Sequence, residues 1–554
     1  MDILVFSILT NFLYYCAGSI FVNPKKNDFH SQFYIYFIGL IFISGISLFL
    51  NFFVKLSPAL NTSVYVIIIF FFIVKTNYSF DKENFKFLFL SSIITFSLIL
   101  FSNINRPDAG LYHLPFVSLI NDSKIIFGSN NIHFRFGHTS IMQYLSAINY
   151  NLLFKENGIS IPLASVISFF YIYFFYDIYK VIKKKETIKI DKVFSLFVSI
   201  YITYKINRYS SFGNDAVAHL TFFYLISYVL KNKLDRINVK KSLLIAVFIF
   251  INKTTLGLAF IIPTTIFFIK EKFKFKKIIY VMVSPASLLL YLWFIKNIVI
   301  SGCAIYPIKF TCFESLSWSN IEKTAIVATQ GEAWSKAWPD RIDRNINVEE
   351  FNKNLNWVNA WTQKHLKYII KIIFPFIIVL LFIVLIINRG SKRLESKISN
   401  DLKIRIFLLL ITSILGSVSF FLLFPLYRYG YSYLLTLIII LFMFPIITNF
   451  KSEKNINLFK FFFIFCVSIL ILKQSYKVFT SKSNNRWPNI YSLSLDKKIN
   501  KKKKIGIKKN FSYYQSVSGD YLCMYSKSPC TTYPVEKNIN HKKKYGYSIL
   551  SRNK

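Results

Sequence analysis

No GxGxxG, Walker loop, HExxH or GxSxG motif occurs in these 554 residues. Soluble nucleotide-dependent chemistry therefore has no sequence support. Acidic residues are scarce, 26 Asp and Glu against 68 Lys and Arg, which leaves a formal net charge of +42. That imbalance does not read as a nucleic-acid surface. Lys, Asn, Ile, Phe and Tyr are abundant together, a bias of the whole chain, and many lysines sit in short loops where they set topology. Residues 1–22 lack a basic start, so they read as a first span and not as a cleavable signal peptide. The apolar runs also lack the alternation of a barrel strand.

What is present is hydrocarbon. The chain is 54% hydrophobic and 19% aromatic, with 61 Phe and a mean hydropathy of +0.43. Apolar runs recur at lengths that cross about 30 Å as helices, the geometry that satisfies backbone groups in lipid. Fourteen candidate spans lie near 2–22, 33–53, 60–74, 86–103, 158–180, 192–206, 215–230, 242–252, 255–269, 278–300, 368–388, 404–426, 430–449 and 459–473. Those at 192–206, 242–252 and 459–473 are short and would lean on neighbours. The expected class is all-α: a polytopic integral membrane protein of about 12–14 transmembrane helices, with interfacial helices in its first large outer loop and a small C-terminal extramembrane domain.

Basic loops fix the orientation. NPKK (23–26), KKKETIKIDK (183–192), KNKLDRINVKK (231–241), KEKFKFKK (270–277) and NRGSKRLESKISNDLK (388–403) would face the cytoplasm. Residues 104–157, 207–215, 301–367 and 426–430 then fall on the opposite side, as do both termini. The organisation reads as N-terminal helices (1–103), outer loop (104–157), core (158–300), second outer loop (301–367), C-terminal helices (368–473) and a basic domain (474–554). That tail carries KKINKKKKIGIKK (497–509), and long segments translocate largely regardless of charge. Cys303, Cys312, Cys523 and Cys530 all fall outside, in pairs that close short loops, and read as local disulfides. Free thiols and zinc ligands are the alternatives. Cys16 and Cys466 read as packing residues.

The polar clusters share one face. RPDAGLYHLP (106–115) holds Arg106, Asp108, Tyr112 and His113 at the end of a span. Asp108 reads as a general base at the water boundary, or as a helix N-cap. The continuation brings His133, Arg135 and His138 close together, side chains suited to phosphate oxygens or to an ordinary wetted loop. FGNDAVAHL (212–220) carries Asn214, Asp215 and His219, with capping again the plain alternative. INKTTLGL (251–258) interrupts a helix at Lys253, and LYRYG (426–430) holds Arg428. The pair Asp108 and Asp215 would share an acceptor or a divalent metal. Trp318, Trp334, Trp338, Trp357 and Trp361 crowd the second outer loop, where they suit sugar stacking or interfacial anchoring. A substrate on the outer face must come without ATP or nucleotide sugars, which points to a lipid-linked donor.

Together, DAGLYHLP, FGND, NKTT, GCAIYP and LYRYG resemble the GT-C superfamily of polyprenyl-phosphate-sugar-dependent membrane glycosyltransferases, nearest its protein O-mannosyltransferase-like and aminoarabinose transferase-like members. The likeness covers roughly residues 86–440. This chain sets four spans before the acidic loop where that superfamily usually has one. The resemblance implies a bacterial inner-membrane enzyme, an inverting transfer and Asp108 as catalytic acid-loop residue, with Asp215 as the second acid and His113 beside them. Arg106, Tyr112, Arg135, His138, Asn214, His219, Lys253 and Arg428 would bind substrate. The partners implied are membrane lipids, a polyprenyl-phosphate-linked sugar, and a glycan, lipid or protein acceptor, with no nucleic acid. Rival classes are an O-antigen-type polymerase, a lipid or glycan flippase or transporter, and a non-catalytic scaffold of the same fold.

Overall fold

The computed structural model describes residues 2–23, 28–75, 81–100, 108–184, 188–206, 213–271, 275–390, 399–446, 453–480, 502–508, 511–516, 522–536 and 538–552. Arg106, and most of NRYSSFGND, lie outside the described residues.

Each predicted span is helical over most of its described residues, and the one at 278–300 is two helices, Phe275–Met282 and Pro285–Ser301; residues 101–103 and 447–449 of two others lie outside the described residues. Among the described residues, eight helices are long and apolar enough to cross a membrane by length and composition. Lys82–Ile99, of 18 residues, matches the shortest of these in length but carries Lys82, Glu83 and Lys86; the others are shorter, and burial explains how they hold. Ile190–Lys205 and Asp215–Lys231 are covered on nearly all sides by protein. At the periphery the pattern inverts. Only 17% of the apolar window in Pro58–Lys75 and 22% in Asn455–Thr480 is buried, and Phe70, Phe71, Leu472 and Phe465 point outward. An apolar exterior around a packed centre is what a lipid solvent selects.

Close approach builds the first helix pair. A Cβ on Gly18 would fall 1.9 Å from the Ile35 carbonyl oxygen, and one on Gly39 would fall 1.8 Å from that of Tyr14. Asp2–Ser19 and Phe29–Phe53 therefore cross backbone to backbone.

The helix ends sort into two groups. At one end, Asp177 accepts from His30 Nε2 (2.9 Å), Lys192 Nζ (2.6 Å), Lys231 Nζ (3.0 Å) and Ser195 Oγ (2.9 Å). Arg405 donates to the carbonyls of Val229, Leu230 and Asn232 there, satisfying a helix C-terminus. These are the flanks of the lysine-rich loops. At the other end, the loop over 108–157 folds into short helices, including Leu114–Asp122 and Ile141–Ile148, as expected. Asn121 Nδ2 donates to the carbonyls of Leu56 and Ala147, both at 2.8 Å. Asn61 Nδ2 donates to the same two carbonyls, both at 3.0 Å. When either amide is lost the Leu56 carbonyl keeps the other as its side-chain donor, while the Ala147 carbonyl also accepts from the Tyr150 N–H at 3.2 Å, so the coupling falls mainly on Leu56. Asn61→Leu or Asn121→Leu alone is expected to cost about 1 kcal/mol, and the double variant about 1 kcal/mol more than their sum. Thermal unfolding in detergent reads this coupling, and strict additivity would contradict the shared-acceptor account.

The tail departs from the all-α expectation. Lys502–Lys508 and Phe511–Ser516 pair antiparallel, Cys530–Thr531 joins in parallel, and Ile539–Lys544 and Tyr547–Arg552 form a hairpin. Its two-residue turn, Tyr545 and Gly546, has positive φ at both positions (50° and 74°), as the twist of a tight hairpin favours. Tyr513, Cys530, Ile539 and Leu550 are apolar residues that these strands bury. Disulfides join Cys303 to Cys312 and Cys523 to Cys530. Cys16 and Cys466 are buried thiols.

Candidate functional site

Asp108 opens the helical segment after the fourth apolar helix, and its side chain makes no capping bond. It faces sideways instead. Oδ1 accepts from Arg135 Nη1 at 3.0 Å, and Oδ2 accepts from Arg428 Nη1 at 2.8 Å. Arg135 is delivered by the tight turn Phe134–His138, whose first N–H groups are gathered by His133: its Nδ1 accepts from the Arg135 amide at 3.1 Å. Arg428 stands in the first turn of Tyr427–Met443. Burial pushes the Asp108 carboxyl up, but Arg428 and then Arg135 outweigh it and hold the group below its ordinary value of 3.8.

Asp215 begins the helix Asp215–Lys231. It too makes a tertiary contact in place of a cap, an ion pair with Lys253 Nζ. Lys253 occupies the extended break between Arg236–Asn252 and Thr254–Phe260. Its Nζ also donates to the Arg428 carbonyl at 2.9 Å and lies 4.8 Å from the centre of the Tyr429 ring. Asn214 Nδ2 donates to the Asn252 carbonyl, fastening the two helix mouths together. His219 supports the same group from below. Its Nε2 donates to the Arg428 carbonyl at 2.9 Å and its Nδ1 accepts from Ser432 at 2.8 Å. Both nitrogens are engaged and the residue is buried, so His219 fixes Arg428 and does not face the opening.

The carboxylates and guanidiniums do face it. Side-chain exposure is 29% for Asp108, 32% for Arg135, 42% for Arg428 and 41% for Asp215. Lys253, at 7%, is the buried counter-charge. Three cations meet two carboxylates, a net surplus of positive charge at a wetted mouth. That balance suits an anionic ligand. It does not suit a divalent metal, since each carboxylate already carries a cationic partner. Among the described residues no group of three His, Cys, Asp or Glu could hold a metal ion.

Of the other residues singled out by sequence, His113 is buried and bonded through Nδ1 to Gln143. Burial pushes it down to about 4, so the ring is neutral at pH 7. Gly213 lies against its Nε2, where a Cβ would come within 3.3 Å. Its place is between the two helix mouths, behind Asp108. Tyr112 is half-buried, with the Arg135 guanidinium 5.3 Å from its ring centre. His138 is exposed beside Tyr306, ring centres 5.0 Å apart.

The tryptophans separate. Trp318 and Trp361 donate to the carbonyls of Ile298 and Pro425. Trp357 packs on Phe421, and Trp338 lies under Arg341. Trp334 alone of the five is both exposed, at 51%, and near the charged mouth, its ring centre 5.9 Å from the Arg428 guanidinium carbon. The sequence reading missed Asp177. A single acid inside SFFYIYFFYDIYK was its signal.

Fold and site define a helical protein with lipid-compatible helices and an ion-paired, cation-rich centre at the mouths of its helices. Residues 1–435 match the family described as Domain of unknown function (DUF8201), and the chain belongs to it. No curated protein and no solved structure matches the chain.

Proposed function

We propose that the chain is a membrane glycosyltransferase of GT-C type. It takes a sugar from a polyprenyl-phosphate donor and places it on a hydroxyl of a glycan, lipid or protein acceptor. The reading is for the bacterial inner membrane, with the site on the extracytoplasmic face, opposite the lysine-rich loops. The observation that carries it is one solvent-reaching carboxylate, Asp108, held between two guanidiniums at the boundary of an apolar bundle.

Each partner of Asp108 takes one lone-pair direction of one oxygen, which leaves others for a proton. Asp108 accepts the proton of the acceptor hydroxyl as that oxygen bonds to the anomeric carbon. The bond from that carbon to the donor phosphate oxygen breaks, its electron pair leaves with the phosphate, and the anomeric configuration inverts. A carboxylate held low is ionised at neutral pH and takes the proton late, once the attacking oxygen has become acidic. Arg428, Arg135 and Lys253 stabilise the charge arriving on the phosphate. Trp334 offers an exposed ring on which a sugar stacks.

The test is a stoichiometry. Purified protein supplied with polyprenyl-phosphate sugar extracted from its host membranes, labelled in the sugar, is expected to release one polyprenyl phosphate per sugar transferred, with inverted configuration in the product. Movement of intact lipid-linked sugar across a vesicle, without release of lipid phosphate, would replace this reading with that of a flippase.

A further inference from the structure

The carboxy-terminal β segment lies beyond the family match, yet it grips the helix that carries Asp108. The Met524 N–H donates to the Gly110 carbonyl at 2.9 Å, two residues from Asp108. Further along, Ser118 Oγ donates to the Ser526 carbonyl. The Tyr525 hydroxyl donates to Asn121 Oδ1 at 3.3 Å. The amide and hydroxyl of Ser528 donate to Asp122 Oδ2 at 3.2 and 2.9 Å. Positions 110, 118, 121 and 122 share one face at helical spacing.

The gripping loop is itself held from behind. The disulfide Cys523–Cys530 closes it, and Cys530–Thr531 pairs with Tyr514–Gln515 in the sheet. Met524 has φ of +52°, in the left-handed region that a residue with a side chain rarely holds without surrounding constraint. The fit is tight. A Cβ on Gly110 would lie 2.5 Å from Met524 Sδ and 3.1 Å from Leu522 Cβ. A second attachment lies further along the same outer loop, where Phe127 exchanges backbone hydrogen bonds with Ser548 and Leu550 at 3.0 and 2.9 Å.

We propose that the disulfide-closed loop 522–530 is a positioning element for Asp108. It fixes the turn Ala109–His113 so that the carboxylate meets both Arg135 and Arg428. The proposal rests on the reading of Asp108 as the reacting carboxylate and names what holds it in place. Met524 and Ser528 act through the helix and do not touch the substrate.

The test compares full-length wild type with Cys523→Ser/Cys530→Ser in lipid nanodiscs. Hydrogen exchange over 109–122 is expected to quicken about tenfold, with Phe29–Phe53 unchanged. The kcat for transfer is expected to fall about tenfold while KM for the lipid donor moves less than about twofold. Ser528→Ala, which leaves the disulfide intact, is expected to give the same changes in smaller measure. Wild-type exchange over 109–122 in both variants would overturn the proposal, as would a change confined to KM. If the wild-type chain transfers no sugar, the exchange comparison still decides whether the loop fixes the turn. The failure would then belong to the transferase reading.

Discussion

Replacing Arg428 with alanine is expected to lower kcat for sugar transfer by about 100- to 1,000-fold, the usual cost of losing one preorganised charge donor. Two effects combine. On the proposed mechanism the leaving phosphate loses a guanidinium at the mouth, and Asp108 loses the partner on its Oδ2. The fold has little reason to follow, because His219 and Lys253 donate to the backbone carbonyl of residue 428, which alanine keeps. The pH profile supplies a second signature. In the wild type, burial raises the Asp108 carboxyl, but Arg428 and Arg135 hold it below 3.8. Its ionised form is therefore complete above that value and is lost only as pH falls through the lower folded value. The associated stability follows the same window. With Arg428 gone the acid limb of kcat/KM is expected to move to higher pH. Arg428→Lys keeps the charge without the planar fork, so an intermediate loss is expected. A wild-type rate in the alanine variant would remove Arg428 from the mechanism.

The largest stability effect is expected at the other end of the molecule. Asp177 is fully buried, and Lys192 beside it is 6% exposed. Lys231 and His30 complete the group. Asp177→Asn would take the central carboxylate from Lys231 and leave Lys192 only its longer pair with Asp191 at 3.8 Å, at a cost on the order of 3 kcal/mol. Four helices meet at this group, so the loss is felt as global unfolding and not as local fraying. Thermal unfolding in detergent measures it. Asp177→Asn/Lys192→Met, which also removes the most buried cation, is expected to recover part of the loss. Transfer per folded molecule is expected to be unchanged in either, since the charged mouth lies at the opposite helix ends. Full stability in Asp177→Asn would show that the lysines find other partners.

The helices were legible because the demand of a lipid solvent is written as run length. Lys, Asn and Pro interrupt the hydrocarbon where helices end, and the predicted spans agree with the helices to within a turn or so at most ends. Helix 453–480 runs well past its predicted limits, because its flanking polar residues extend it beyond any apolar window. The polar clusters were visible for the same reason, as costly interruptions. Their pairing was not. Asp108 and Arg428 are 320 residues apart, and nothing local to LYRYG states which carboxylate its arginine meets. The capping alternative for Asp108 and Asp215 was equally open in sequence, since a cap and an ion pair ask for the same residue type at a helix start. Only the third dimension separates them. Trp334 cannot be told from Trp338 or Trp357 by its neighbours, because exposure is a property of the packed loop. The β tail did leave a mark, the KYGY turn at 544–547, but its lysine-rich composition obscured it.

The most direct test of the account is transfer of labelled sugar by wild type and Asp108→Asn, each shown to be folded by thermal unfolding. Asparagine keeps the shape and one acceptor oxygen but cannot take a proton. Transfer by the wild type that falls at least about a thousandfold in the folded variant is the predicted result. Equal transfer by both proteins would contradict the claim that Asp108, between its two arginines, is the reacting group.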